Sequence, residues 1–200
     1  MKNPFKQDNL NLKILVAIFV TYLWCLVWVV GLKFNSDWLY ELREYMLKLP
    51  LESRVGNNWI PFYSLIKSVQ DGTYKFNLDH LLNVVIYIPM GIYLYLFMFK
   101  KMKYSLVVIV SVAVFMVTSI CFEVAQLYTG TGGCDGTDFA CNFFGGCIGL
   151  LLMIVAQRYV KNFEKIANVV NTVCLIIFVP MGIFMIVNTG LNAGQYAPIR

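Results

Sequence analysis

Charge is what this sequence has least of. Aspartate, glutamate, lysine and arginine make up 14% of its 200 residues, against about 25% in soluble globular chains. With 59% of its residues hydrophobic, the chain cannot clothe its own surface in polar groups. That excludes a free cytosolic enzyme, a disordered regulator and a nucleic-acid-binding domain. Histidine occurs once, as His80, at the edge of an apolar run, and alone it supports neither a catalytic triad nor a zinc site. Gly-x-Ser-x-Gly, a phosphate-binding glycine loop and His-Glu-x-x-His are all missing. The six cysteines, Cys25, Cys121, Cys134, Cys141, Cys147 and Cys174, include no close pair with zinc spacing and read as small apolar fillers. Only Cys134 and Cys141 are placed where a disulfide is conceivable. No metal site and no cofactor are expected.

What is present instead is a series of long apolar runs. A helix needs about 20 apolar residues to cross the hydrocarbon core, and five stretches reach or approach that length. The pattern predicts an all-α polytopic membrane helix bundle with spans over 13–32, 81–99, 104–127, 138–157 and 166–188. Residues 1–12 are then an N-terminus, 33–80 a long segment, 128–137 and 158–165 loops, and 189–200 a C-terminal tail. The first run is longer than a signal-peptide core, and no small-x-small cleavage site follows it, so it reads as an uncleaved anchor.

Lysine and arginine in short loops set orientation. Lys100, Lys101 and Lys103 occupy one loop, and Arg158, Lys161 and Lys165 another, whereas 128–137 has no basic residue. With the basic N-terminus in the cytoplasm, both basic loops are inside as well. The segments 33–80 and 128–137 and the C-terminus are then outside. The six basic residues of the long segment are matched by six acids, and long loops carry little weight in this rule.

That outer segment has its own pattern. Trp38, Leu39, Leu42, Tyr45, Met46 and Leu49 recur at helical spacing. Asp37 is placed to cap the start, Glu44 and Lys48 to pair at i,i+4, and Pro50 to end the helix. Trp59, Phe62, Leu65, Ile66 and Val69 suggest a second short amphipathic helix after Pro61. Both helices fit either of two places, the outer leaflet with aromatics at headgroup level or a cap on the bundle.

In an apolar chain the polar residues inside spans are the informative ones. Glu123 lies in the third span, about 6 Å from its outer end by helical rise, where an acid needs a partner or a water-filled cavity. Gln126 follows on the same face. Asp138 and Asn142 open the fourth span, Asp135 precedes it, and Asn83 lies near the outer end of the second. All six fall at one depth, which points to an outward-facing polar cleft or a polar cap on the helix ends. Individually, Asp138 suits a helix cap, Asp135 a turn, and Asn83 and Asn142 cross-helix hydrogen bonds. Glu123 points to function, because a neutral glutamine would serve packing at lower cost. The acids Glu123, Asp135 and Asp138 also have the oxygen chemistry of a divalent-ion site or an acid–base pair, with no nucleophile beside them.

Gly145, Gly146 and Gly149 give the fourth span a small face for close helix packing, while Pro89 and Gly91 kink or loosen the second. Ile-Pro-Met-Gly-Ile at 88–92 echoes Val-Pro-Met-Gly-Ile at 179–183. Inverted repeats of transporters look like this, but the other spans show no echo.

Four blocks together carry a family resemblance. They are Arg-Val-Gly-Asn-Asn-Trp-Ile-Pro-Phe at 54–62, Asn-Val-Val-Ile-Tyr-Ile-Pro-Met-Gly at 83–91, Phe-Glu-Val-Ala-Gln at 122–126, and Asp-Gly-Thr-Asp-Phe-Ala-Cys-Asn-Phe-Phe-Gly-Gly at 135–146. In order and spacing, about residues 12–156 resemble the VanZ family, named for the teicoplanin-resistance accessory membrane protein. The resemblance implies a multi-pass protein of the bacterial plasma membrane, associated in some members with low-level resistance to teicoplanin-type glycopeptides. It marks Arg54, Asn57 or Asn58, Pro61, Phe62, Asn83, Pro89, Gly91, Glu123, Gln126, Asp135, Asp138, Asn142 and Gly145 as shared positions. Many relatives carry an arginine just before the Asp-x-x-Asp element. Here Thr131 to Cys134 stand in its place, which makes Arg54 the expected counter-ion of Glu123 or Asp138. The implied partners are membrane lipids, a lipid-linked wall precursor or a glycopeptide. The alternatives are an integral membrane enzyme on a lipid-linked substrate and a small transporter or flippase.

Overall fold

The computed structural model describes residues 4–31, 37–54, 58–73, 78–99, 101–160 and 162–192. Seven α-helices account for most of them: α1 Pro4–Leu26, α2 Asp37–Lys48, α3 Tyr63–Gln70, α4 Leu78–Met98, α5 Tyr104–Thr129, α6 Gly136–Tyr159 and α7 Phe163–Asn192. A π-helical turn, Val27–Gly31, extends α1, and a 3-10 turn covers Leu51–Ser53. The described residues form no β-strand, only one isolated bridge between Asn58 and Asp135. Five helices are long and apolar enough to cross a membrane: α1, α4, α5, α6 and α7. The fold is thus all-α and that of a multi-pass membrane protein. In lipid this is what backbone chemistry demands, since a helix meets its own hydrogen-bonding needs.

The chain divides into two compact units, Met1–Asn35 with Gln157–Arg200, and Ser36–Ala156. In the first, α1 and α7 pack against each other. Tyr22 and Phe178 meet edge to face with ring centroids 5.1 Å apart, and the Cys25 thiol donates to the Phe178 carbonyl. Leu15, Ile18, Cys174 and Met185 are buried with them. Gly182 is loosely surrounded, because a Cβ there would come no nearer than 3.8 Å to Thr21.

The second unit is held by a tight seam. A Cβ on Gly91 of α4 would overlap the Gly146 carbonyl oxygen of α6. From the other side, Cβ atoms on Gly145 and Gly149 would overlap the carbonyl oxygens of Val84 and Ile88. Gly146 turns toward α5, where a Cβ would come within 2.6 Å of the Phe115 ring. The three glycines therefore divide between two neighbours, and α4 and α6 approach backbone to backbone as small residues allow. Pro89 lies inside α4 at this seam. On α5 the buried residues are Val107, Ser111, Phe115, Ser119, Glu123 and Gln126, a stripe at helical spacing that includes four polar side chains.

Between the first span and α4 come two short helices, α2 and α3. The Glu44–Lys48 pair on α2 is present at 3.7 Å and well exposed, so it adds little stability. The Asp37 cap expected from the sequence lies outside the described side chains. So do Trp38 and Leu39, whereas Met46 is buried. All six cysteines are free thiols, including Cys134 and Cys141.

Candidate functional site

Chain alternation puts the N-terminal ends of α4 and α6 and the C-terminal end of α5 at the same end of the Ser36–Ala156 unit. At that end α5 must stop, and it does so by a left-handed Gly130, φ 73°, whose N–H returns to the Gln126 carbonyl. Thr131 donates to the same carbonyl at 3.1 Å. This arrangement is a glycine C-cap. Two arginines complete it. Arg43 donates to the Thr129 carbonyl at 3.2 Å, and Arg54 donates to the carbonyls of Leu127, Tyr128 and Leu49. Positive charge at a helix C-terminus also opposes the helix dipole favourably.

Arg54 is therefore not the counter-ion expected of it. Its guanidinium is committed to backbone carbonyls, and among the described residues it pairs with neither Glu123 nor Asp138. The physical reason is local, because the last turn of α5 leaves carbonyls without helical partners, and a planar five-donor group can serve several of them.

The start of α6 is built in the complementary way. Asp135 caps it, its carboxylate accepting from the Thr137 N–H at 2.7 Å and its carbonyl from the Phe139 N–H. The cap role that suited Asp138 thus falls to Asp135. Asp138 instead stands in the first turn, 3.2 Å from Nδ1 of His80 on α4, with both side chains about one-quarter exposed. Glu123 of α5 is fully buried, and its carboxylate accepts from the Asp135 N–H at 3.0 Å. Three acids converge on the first turn of α6, where the helix dipole favours negative charge.

The 58–62 segment is laced onto the same turn. Asn58 donates to the Cys134 carbonyl at 2.7 Å and accepts from Gly136 at 2.8 Å, while its side chain accepts from Ile60 N–H. A Cβ on Gly136 would lie 2.5 Å from the Trp59 carbonyl oxygen, so glycine is required there. Phe62 takes the left-handed region, φ 60°, rare for a residue with a side chain, and its N–H is held by the Thr137 hydroxyl at 3.0 Å. Pro61 is exposed just before it, and Asn57 lies outside the described residues.

Below the rim, polar groups continue inward. Asn142, one turn past Asp138, has no exposed surface. Its amide donates to Ser119 Oγ at 3.2 Å, and Ser119 donates to the Phe139 carbonyl at 3.3 Å. The amide oxygen of Asn142 has no hydrogen-bond partner. Tyr87 of α4 is fully buried, packs edge to face on Phe122, and lies within electrostatic reach of Glu123. Gln126 is buried and Asn83 half-buried on the helices that meet here. Burial pushes the Cys134 thiol in the connecting loop up from its ordinary range, and the charge of Glu123 adds to this.

The structure brings Asn58, Glu123, Asp135, Asp138 and Asn142 into one hydrogen-bonded neighbourhood and places Asn83 and Gln126 on the helices that form it. It assigns Arg54 to the adjoining helix end. Reasoning from sequence missed Ser119, Tyr87, Thr137 and the pairing of His80. The signal for two of them was register, since Ser119 lies one turn before Glu123 and Tyr87 one turn after Asn83. No group of three metal-ligating side chains occurs among the described residues.

The family model VanZ/LLP1 matches residues 19–157. No curated protein and no solved structure matches the chain. The matched region covers most of the chain and includes every residue of the polar neighbourhood. The chain belongs to the VanZ-like family.

Proposed function

We propose that this chain is a VanZ-like accessory protein of the bacterial plasma membrane that lowers the effect of teicoplanin-type glycopeptides. It has its N-terminus in the cytoplasm, and its polar helix ends face outward. There it engages a cell-envelope lipid, a lipid-linked wall precursor or the drug itself through the rim His80, Asn83 and Asp138 and the buried groups beneath it. The observation that carries this reading is the fully buried Asn142 amide with its oxygen unmatched, one turn below the partly exposed Asp138. A buried polar atom without a partner costs about 1–3 kcal/mol, which a helix that only packs would avoid. The buried Glu123 supports the same reading, since ionisable groups inside spans are functional by default. In a sensitive host, expression of the intact chain is expected to raise teicoplanin tolerance, and Asp138→Asn is expected to reduce the gain. Tolerance unchanged by expression refutes the proposal.

The His80–Asp138 pair favours one other reading. A carboxylate that fixes an imidazole through Nδ1 leaves Nε2 as a general base, which suits an integral membrane enzyme hydrolysing a lipid-linked substrate. Turnover of a wall-precursor lipid by purified protein, lost in His80→Gln, supports this reading. Absence of turnover removes it.

A further inference from the structure

The segment from Trp59 to Val69 is amphipathic, and the protein covers only part of its apolar side. Phe62 and Leu65 are half-buried, while Ile66 and Val69 beside them on α3 are more than half exposed. Tyr63 borders that face, and Trp59 and Ile60, just before the helix, are 53% and 60% exposed. Lys67 and Gln70 are exposed as well, flanking Tyr63 on the helix, with Gln70 one turn after Ile66.

Hydrogen bonds fix the depth of this segment. Asn58 pairs with Asp135, and Phe62 is held by Thr137, so Trp59 sits against the first residue of α6. That helix has 24 residues and is therefore about 36 Å long, against about 30 Å of hydrocarbon. Its first turn falls in the headgroup layer, and the 59–69 segment stays at that level. Trp and Tyr are the aromatics that favour this layer, and a lysine beside them can snorkel to water.

We propose that Trp59, Ile60, Tyr63, Ile66 and Val69 form an interfacial foot seated in the headgroup layer of the bilayer, with phospholipid as its partner. The foot is joined to the turn that carries Asp135 and Asp138, so it presents the polar rim at the lipid surface. The inference does not depend on which ligand the rim takes or on glycopeptide tolerance, so each can fail without the other.

The test uses the full chain and its Trp59→Phe variant, reconstituted in phosphatidylcholine vesicles with bromines near the headgroup or near the chain ends. The emission of Trp59 is the difference between the two proteins, and equal thermal unfolding of both confirms that the substitution is silent. Shallow bromines are expected to extinguish most of that difference emission, and deep bromines much less, while aqueous iodide leaves it largely intact. Three results overturn the proposal: quenching by iodide and not by bromolipid, which places Trp59 in water; stronger quenching by deep bromines, which places it inside the hydrocarbon; and resistance to all quenchers, which means that a second copy covers the foot.

Discussion

Two helices of this protein carry nearly the same five residues and use them in opposite ways. In α4, Ile-Pro-Met-Gly-Ile places Gly91 where α6 leaves no room even for a methyl group. In α7, Val-Pro-Met-Gly-Ile places Gly182 where an added Cβ would meet Thr21 of α1 at 3.8 Å, an ordinary contact distance. The difference lies in the partner. Helix α6 offers Gly145 and Gly149 on one face, so two backbones meet. Helix α1 offers Thr21, Tyr22 and Cys25, so side chains hold α7 at ordinary distance. A glycine in a span is therefore read from the helix opposite it, and the echo between the two segments implies no shared role.

This contrast can be broken by substitution. Gly149→Ala should separate α4 from α6 and lower stability by about 3 kcal/mol, the upper range for overpacking, measured as a fall in the unfolding midpoint in detergent. Gly91→Ala should behave alike. Gly182→Ala should be neutral or stabilise by up to about 1 kcal/mol, since alanine is the better helix former and the space exists. Equal losses at Gly149 and Gly182 would erase the distinction.

The two ends of the turn between α5 and α6 sharpen it further. Glu123→Ala removes the acceptor of the Asp135 N–H and should cost about 1–3 kcal/mol. Arg54→Ala removes a donor from the last carbonyls of α5 and should cost about 1–2 kcal/mol. Exchanging charges, with Arg54→Glu and Glu123→Arg together, should rescue nothing, because Arg54 meets carbonyls and not the acid. Smallest of all, His80→Ala should cost below about 1 kcal/mol, as expected of a partly exposed pair. Its effect on tolerance is expected to exceed its effect on the unfolding midpoint.

How much of this was legible in the sequence follows the range of the interactions. The five apolar runs specify five long helices, because the hydrophobic pattern is a local property and lipid permits little else. The short amphipathic helices were legible too, with α3 beginning two residues after Pro61. The polar level shared by Asn83, Glu123 and Asp138 followed from chain alternation alone. The partners did not. Whether Arg54 meets an acid or a carbonyl depends on where a loop crosses a helix end, which no spacing encodes. Asp135 rather than Asp138 caps α6 because the loop carbonyl at Cys134 pairs with Asn58, and that fixes where the helix begins. Ser119 looks like an ordinary span residue and Thr137 like an ordinary loop residue until a neighbour is placed beside them.

The central claim is that the buried acid at the turn between α5 and α6 serves a task beyond holding α6 in place. Glu123→Gln tests it most directly, because glutamine still offers an oxygen to the Asp135 N–H and removes only the charge. Its unfolding midpoint and the teicoplanin tolerance of a sensitive host expressing it should be measured side by side with those of the intact chain. The expected result is an unfolding midpoint close to that of the intact chain with tolerance lost. A variant that keeps both would contradict the claim and reduce Glu123 to a helix-capping acceptor.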